Sequence, residues 1–257
     1  MIVFADGSLD PKAWTVFENL VCVASLPSSN DLAREVIDFY VREEQALPAT
    51  VIAAEEQPAA RGRGGKSWQA PAGRGIYVTV VRQVAPGEPL SVIPIAMARW
   101  TREALKHATG LEAELKWPND LYVGRRKVAG ILAEARTQGE TTHLAVGIGV
   151  NVRGRGSELR VPDATTIEEA TRRPASIAAV LQALITTIDR ELAAPDWNRE
   201  VAEWERVSLH RRGDRLTVRA EGTAVTGEYL GLDASGFLKL ETPAGVAVLS
   251  TGELDDW

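Results

Sequence analysis

The sequence is poor in the residues that build metal centres and covalent cross-links, with one cysteine and three histidines among 257 residues. The single thiol, Cys22, excludes an internal disulfide framework and a cysteine-based metal site. His107, His143 and His210 are far apart and lack the spacing of metal ligands, so we expect structural or surface roles for them. The sequence therefore predicts no metal site built from protein ligands alone.

Long apolar runs, a basic leader and an excess of positive charge are also missing. No stretch approaches the length needed to span a membrane, and the N-terminus has no basic segment followed by an apolar run. The 29 lysines and arginines are outnumbered by 35 acidic residues, and this net charge of −6 argues against a general nucleic-acid binder. We expect a cytoplasmic protein without a membrane or nucleic-acid partner.

The most informative stretch is a run of glycines and cations, here named the Gly/Arg loop (residues 57–68), which reads QPAARGRGGKSW. Glycine backbones can pass close to a ligand, and successive amides of such a loop can form a concave anion site. The closing Trp68 could stack on a ring. Taken alone, the same run also fits a solvated basic surface loop.

The end of this loop imitates a phosphate-binding P-loop, whose pattern is G-x-x-x-x-G-K-[ST]. Gly65, Lys66 and Ser67 match its last three positions, but the pattern requires glycine where Ala60 stands. It also requires a helix directly after Ser67, where proline and glycine follow instead. The P-loop interpretation therefore fails.

Apolar patterning places the Gly/Arg loop between two predicted strands, residues 49–54 and 75–81, which would hold it rigidly. An amphipathic helix is predicted after Ser28, Ser29 and Asn30. These three side chains can cap the helix, and they can also present hydroxyl and amide groups to a ligand.

Two later strands carry further candidate positions. Lys116 ends one strand, and a proline in the next turn fixes the chain direction, so its ammonium could neutralise a carboxylate or phosphoryl oxygen. Asn119 could bind a ligand or hold its own turn, and Asp120 could pair with a cation or order the turn. Gly147 and Gly149 leave room for something to lie against the second strand.

The residue pattern of the sequence changes near Ser208. Short strands separated by good turn sequences are predicted at residues 216–218, 224–232, 237–240 and 246–249. They form a small β-barrel of about 50 residues, too small for much chemistry and expected to be an accessory. We therefore divide the chain into a catalytic domain, residues 1–207, and a small barrel, residues 208–257.

Four motifs follow the polar cluster at residues 28–30 in a fixed order. They are the Gly/Arg loop, KWPND at 116–120, KVAGILAE at 127–134 and GIGVN at 147–151. In this order they closely resemble the biotin protein ligases, or biotin–[acetyl-CoA-carboxylase] ligases, from about Val21 to the C-terminus. The resemblance implies an α+β fold: a class II-synthetase-like catalytic domain, with a mixed, mostly antiparallel sheet and packed helices, and a small C-terminal SH3-like β-barrel.

The resemblance also implies a two-step reaction. The carboxylate of biotin attacks the α-phosphorus of ATP, which gives biotinyl-5′-AMP and pyrophosphate. A lysine of a biotin carboxyl carrier protein or domain then attacks this mixed anhydride and releases AMP. Mg²⁺ is expected to enter with ATP and to be held mainly by phosphate oxygens and water.

Family roles fall on matching positions of this sequence. Lys116, Arg61 and Arg63 match the catalytic cations. The expected biotin contacts are Ser28, Ser29, Asn30, Gln57, Arg61, Gly62, Arg63, Lys116, Gly130 and Ile131. The expected ATP contacts are Arg61, Arg63, Trp68, Lys116, Asn119 and Asn151, with Trp68 on the adenine side. Three positions depart from the usual pattern, namely Ser29 in place of threonine, Ala60 in place of glycine and Lys66 in place of arginine.

Other functions were weighed against this one. A lipoate–protein ligase has a similar scaffold, but the Gly/Arg loop together with residues 116–120 favours biotin. A biotin- or nucleotide-binding sensor without catalysis is disfavoured by the presence of Lys116, Arg61 and Arg63. A DNA-binding repressor is disfavoured by the acidic balance, and because only about 20 residues precede the first strand we expect no winged helix-turn-helix. A monomer and a homodimer both remain open.

Overall fold

The computed structural model describes residues 2–4, 7–68, 71–159, 161, 163–220 and 222–256. Its α-helices are α1 (Ser29–Arg42), α2 (Ile93–Thr109), α3 (Ile167–Thr171), α4 (Ile177–Ala193) and α5 (Trp197–Arg206). Its strands are β1 (Ile2–Phe4), β2 (Gly7–Leu9), β3 (Asn19–Ser25), β4 (Thr50–Glu56), β5 (Gly75–Gln83), β6 (Glu114–Lys116), β7 (Asp120–Val123), β8 (Arg126–Gln138), β9 (Thr141–Asn151), β10 (Arg215–Ala220), β11 (Thr223–Leu232), β12 (Leu238–Thr242), β13 (Gly245–Leu249) and β14 (Glu253–Asp256). None of the helices described in these ranges is long and apolar enough to cross a membrane.

A seven-stranded sheet organises the larger part of the chain, in the order β3-β4-β5-β9-β8-β7-β6. β3 and β4 are parallel and are connected through α1, whereas the other neighbouring pairs are antiparallel. The inner strand β5 is rich in β-branched residues and is buried along almost its whole length, which suits a strand covered on both faces. The expected mixed, mostly antiparallel sheet with packed helices is confirmed.

The two faces of this sheet carry different helices. α2 packs with α4 and α5 on one face, where Trp100 and Trp204 are fully buried. α1 covers part of the other face with Ala33 and Ile37, which pack against Ala145 of β9. Because side chains alternate along a strand, the same strands supply both cores. The cavity described below opens on the face that α1 covers in part.

The five strands β13-β12-β11-β10-β14 form a second, antiparallel sheet, here named the C-terminal sheet (residues 215–256). The predicted turn before β12 forms because the Asp233 carboxylate accepts hydrogen bonds from the backbone N–H groups of Ser235 and Phe237, at 2.8 and 3.0 Å. The last strand, β14, was not predicted from the sequence; it returns to pair with β10 and brings Leu254 opposite Val218. This return carries residues 251–254 back to the larger sheet.

A buried ion pair joins α2 to α5. The Arg99 guanidinium donates to both oxygens of Glu200, from Nε at 2.5 Å and from Nη2 at 2.9 Å. Glu200 is 1% exposed, so its charge depends on this partner for stabilisation. On the same helix, Glu203 pairs with Arg206 at the surface, where water stabilises both charges.

We predict that Glu200→Ala lowers the free energy of unfolding by about 3–5 kcal/mol, because the Arg99 charge would stay buried without its main partner. The matched surface variant Glu203→Ala should cost no more than about 1 kcal/mol. Urea unfolding of both variants measures the difference. Equal losses would show that the buried pair contributes no more than the surface pair.

Candidate active site

One large cavity, of about 620 Å³, lies between the Gly/Arg loop, the seven-stranded sheet and the C-terminal sheet. It is lined by every residue to which the sequence analysis assigned a site role. These are Ser28, Ser29, Asn30, Gln57, Arg61, Gly62, Arg63, Trp68, Lys116, Asn119, Gly130, Ile131 and Asn151. The structure thus brings the predicted residues together, while their individual roles stay predictions.

Two glycines of β9 form part of the cavity floor. A Cβ atom added at Gly147 would overlap the Asn30 side chain, and one added at Gly149 would overlap the Trp68 indole. Any larger residue would therefore push Asn30 or Trp68 away from the sheet. The room expected beside this strand exists, and side chains of the chain itself occupy part of it.

The polar cluster at the start of α1 is held in a fixed arrangement. Ser28 is the N-cap and accepts a hydrogen bond from the backbone of Asp31, as its capping role predicts. The Gln57 amide bonds twice to Ser29, accepting from its backbone N–H at 2.9 Å and donating to its Oγ at 3.0 Å. Thr79 Oγ1 lies 2.7 Å from both Ser29 Oγ and Asn30 Oδ1. This end of the cavity therefore offers preoriented hydroxyl and amide groups.

Arg61 is anchored to the rigid part of the fold although it belongs to the loop. Its guanidinium pairs with Asp31 at the start of α1 and lies 3.7 Å from Glu134 Oε1 of β8. Glu134 also accepts a hydrogen bond from Asn30 Nδ2 at 2.7 Å. One acidic side chain thus orients both a cation of the Gly/Arg loop and an amide of the polar cluster.

Arg63 and Lys116 are the more buried cations. Arg63 donates to Asn119 Oδ1 at 3.4 Å and to Thr251 Oγ1 at 2.8 Å, and Lys116 Nζ donates to the Leu254 carbonyl at 3.5 Å. Burial lowers the pKa of the Arg63 guanidinium below its ordinary value. Burial likewise lowers the pKa of the Lys116 ammonium, which is the direction expected for a cation removed from water.

The remaining predicted residues line the cavity from its walls. Asn119 Nδ2 donates to the Ile131 carbonyl, and Asn151 Nδ2 lies 3.5 Å from the Lys127 carbonyl. Both side-chain amides therefore also contact the backbone of β8. The Trp68 ring has Lys127 Nζ 5.4 Å from its centroid. Ile131 borders the cavity, but its side chain belongs to the main hydrophobic core beneath the sheet.

Several residues of the site were missed by the sequence analysis. Thr79 could have been found from its position among apolar residues of β5, because a fully buried hydroxyl needs a polar partner. Glu134 is the last residue of the motif at 127–134, but the sequence alone indicated no role for it. Residues 251–254 gave no signal at all, because only the folded C-terminal sheet places them at the cavity.

Comparisons with known proteins agree with this geometry. The family model described as the biotin/lipoate A/B protein ligase family matches residues 24–151. The biotin–[acetyl-CoA-carboxylase] ligase of Paracoccus denitrificans is 31% identical over 218 residues, which cover 79% of this chain and 88% of that relative. The chain belongs to the biotin protein ligase family. All the predicted site residues of this ligase lie within the matched range, whereas residues 251–254 lie outside it.

Two further relatives of this ligase cover nearly its whole length. The bifunctional ligase/repressor BirA of Escherichia coli is 30% identical over 247 residues, which are 90% of this chain and 73% of that protein. The biotin protein ligase from Aquifex aeolicus, solved in complex with biotin and ATP, superposes with a TM-score of 0.71 at 26% identity. That comparison covers 93% of this chain and 98% of the Aquifex chain.

A buried histidine lies beside the cavity of the ligase. His210 is 4% exposed and its ring meets that of Tyr229 edge to face, with centroids 6.1 Å apart. Burial lowers the pKa of His210 to about 4, and the positive charge of Lys116 acts in the same direction. The folded protein therefore binds a proton here less readily than the unfolded chain does.

We predict that this histidine makes the ligase sensitive to acid. With a folded pKa of about 4 and an ordinary value of 6.5, the unfolded state binds more protons between these values, so stability falls as the pH falls. Between pH 7 and pH 4 the wild type should lose about 3 kcal/mol more than His210→Gln. His107→Gln, at an exposed position, should keep the wild-type profile in urea unfolding. Parallel pH profiles for all three proteins would contradict the assignment.

Proposed function

We propose that this chain activates biotin with ATP to biotinyl-5′-AMP and transfers the biotinyl group to a lysine of a biotin carboxyl carrier protein or domain. The observation that carries the proposal is the arrangement within one cavity. A preoriented polar cluster lies at one end, and the cations Arg61, Arg63 and Lys116 border the space beside it. Such a site suits a ligand with a polar head group and an anionic tail that must meet a second anion.

The polar end of the cavity is assigned to the head group of biotin. Ser29, Asn30 and Gln57 present hydroxyl and amide groups whose orientations are fixed by Thr79 and Glu134. Ser28, Gly62 and Gly130 border the same cavity. Preoriented partners lower the entropy lost when a ligand binds.

The part of the cavity that is lined by Trp68, Asn119 and Asn151 is assigned to the nucleotide. Trp68 offers an aromatic face, and Asn119 and Asn151 place amide groups along the wall. Arg61 and Arg63 reach from the Gly/Arg loop toward the phosphates. Arginine suits phosphate because its planar guanidinium can donate two parallel hydrogen bonds.

The chemistry is that of two anions brought into contact. A carboxylate oxygen of biotin attacks the α-phosphorus, the bond to the β-phosphate oxygen breaks, and pyrophosphate leaves. Negative charge on the α-phosphoryl oxygens increases in the transition state, and the Lys116 ammonium is positioned to stabilise it. The carrier lysine, as a neutral amine, then attacks the acyl carbon, loses its proton, and AMP departs with the carboxyl oxygen.

Mg²⁺ is assigned to the nucleotide rather than to the protein. In the part of the chain that the structure describes, no group of three or more His, Cys, Asp or Glu side chains could hold a metal ion. The cavity carboxylate Asp120 is paired with Lys127 at 2.7 Å. A Mg²⁺ ion bound by phosphate oxygens and water would neutralise phosphate charge, as is usual for this metal.

We assign the reaction to a catalytic domain, residues 1–207, followed by a small domain, residues 208–257. A boundary here is supported by the end of α5 at Arg206 and the start of β10, the first strand of the separate C-terminal sheet, at Arg215. The Leu115 N–H donates to Val207 and the Leu115 carbonyl accepts from Leu209, each at 2.8 Å, so the connection is tied to the edge strand β6. The proposed partner is the carrier domain of acetyl-CoA carboxylase or a related carboxylase, approached by a monomer or a homodimer.

We predict that Lys116→Ala lowers the rate of biotinyl-AMP formation by about 10²–10³-fold, because the developing phosphoryl charge would lose its main cation. Circular dichroism should show an unchanged fold. Lys239→Ala, in β12 of the C-terminal sheet, is the matched control and should react at the wild-type rate. Adenylate formation by the Lys116 variant at the wild-type rate would refute this role.

The acyl substrate can be decided by mass spectrometry of a carrier-domain lysine. The carrier is incubated with this chain, ATP and Mg²⁺, with biotin in one tube and lipoate in the other. We expect the mass of one biotinyl group to be added only in the biotin tube. The family model also includes lipoate ligases, so a mass gain only in the lipoate tube would show that this chain is a lipoate ligase and not a biotin ligase.

A further inference from the structure

Residues 251–254 of the C-terminal region present a row of oxygen atoms to the cations of the cavity. Arg63 donates to Thr251 Oγ1 at 2.8 Å and to the Gly252 carbonyl at 3.3 Å. Lys66 pairs with the Glu253 carboxylate, and Lys116 Nζ lies 3.5 Å from the Leu254 carbonyl. Four consecutive residues thus contact three cations that arise from two distant parts of the chain.

Glu253 differs from its neighbours because it carries a full negative charge. Its pair with Lys66 is solvated, with side chains 56% and 64% exposed, so the pair can open readily. Its charge also acts on Arg63 and Lys116, in the direction that favours their protonated forms. The carboxylate therefore balances part of the positive charge that the cavity carries when no anion is bound.

We infer that Glu253 acts as a built-in substitute for the triphosphate: it pairs with the loop cation Lys66 in the free ligase and is displaced when nucleotide binds, so it sets the affinity for ATP. This inference rests on the proposed function, since it assigns the phosphates to these cations. Glu253 acts on nucleotide binding through Lys66 and takes no part in bond formation. The Gly/Arg loop keeps its place through the contacts of Arg63 with Thr251 and Gly252.

The sign of the effect distinguishes this role from a merely structural one. Removal of the Glu253 charge frees Lys66 and takes a negative charge away from the phosphates, so nucleotide should bind more tightly. Removal of the Lys66 charge leaves Glu253 facing the phosphates, so nucleotide should bind more weakly. If the pair only held the loop in place, breaking it from either side would weaken binding alike.

The test is calorimetric titration with α,β-methylene-ATP, whose α–β bridge cannot be cleaved, in the presence of saturating biotin and Mg²⁺. At about 0.02 M salt we expect the Kd to fall about three- to tenfold in Glu253→Gln and to rise by a similar factor in Lys66→Gln. Both shifts should shrink at about 0.5 M salt, where such charges are screened. Glu241→Gln, in β12, is the control and should bind as the wild type does.

Three results would overturn the inference. An unchanged Kd in Glu253→Gln, or shifts of the same sign in both variants, would reject it while leaving the proposed function intact, provided that the wild type binds the analogue. A shift of equal size in Glu241→Gln would show that net charge alone is responsible. Failure of the wild type to bind the analogue at all would reject the proposed function and the inference together.

Discussion

In the proposed reaction one electrostatic constraint governs the site: Arg61, Arg63 and Lys116 must be charged and oriented at one cavity before the two anions arrive. A buried cation loses hydration, and this loss lowers the pKa of Arg63 and of Lys116. The fold meets this cost by giving the cations separate acceptors. Asp31 of α1 holds Arg61, whereas residues 251–254 receive the other two. The site is therefore assembled at the meeting point of a helix, a loop and the C-terminal sheet.

The need to place a ligand beside these cations explains the shape of the sheet below them. Gly147 and Gly149 keep one strand bare so that Asn30 and Trp68 can lie directly on it. The neighbouring strand β8 adds Gly130 and, on the same face, Glu134. Strands β8 and β9 thus form a floor that orients the polar groups. Most of the cations come from the Gly/Arg loop, which is anchored by α1 and by residues 251–254. This division suits a reaction in which one substrate is held still and the other is enclosed.

The sequence predicts most of this arrangement, and the failures have one cause. Local signals, namely the spacing of apolar residues and the presence of turn residues, were enough to predict several elements. These are the strands at 49–54 and 75–81, the helix after Ser28 and the small C-terminal unit. While their roles stay predictions, the residues that line the cavity were predictable because most of them lie in short sequence motifs. Thr251 and Glu253 were not, because a threonine and a glutamate near a chain end have no local pattern that indicates a partner about 190 residues away.

The pairing of β14 with β10 also affects how strongly the Lys116 cation can interact with an anion in the cavity. Leu254 is 4% exposed, pairs with Val218 and lines the cavity, and its carbonyl accepts a hydrogen bond from the buried Lys116 ammonium. Exclusion of water at this junction makes it costly to keep Lys116 charged, and it equally increases the energy that a bound phosphoryl oxygen gains from that charge. A small sheet that was expected to be an accessory therefore contributes to the electrostatics of the cavity. In the proposed reaction, the burial that lowers the pKa of Lys116 in the free protein also strengthens the stabilisation that its ammonium would give to the transition state.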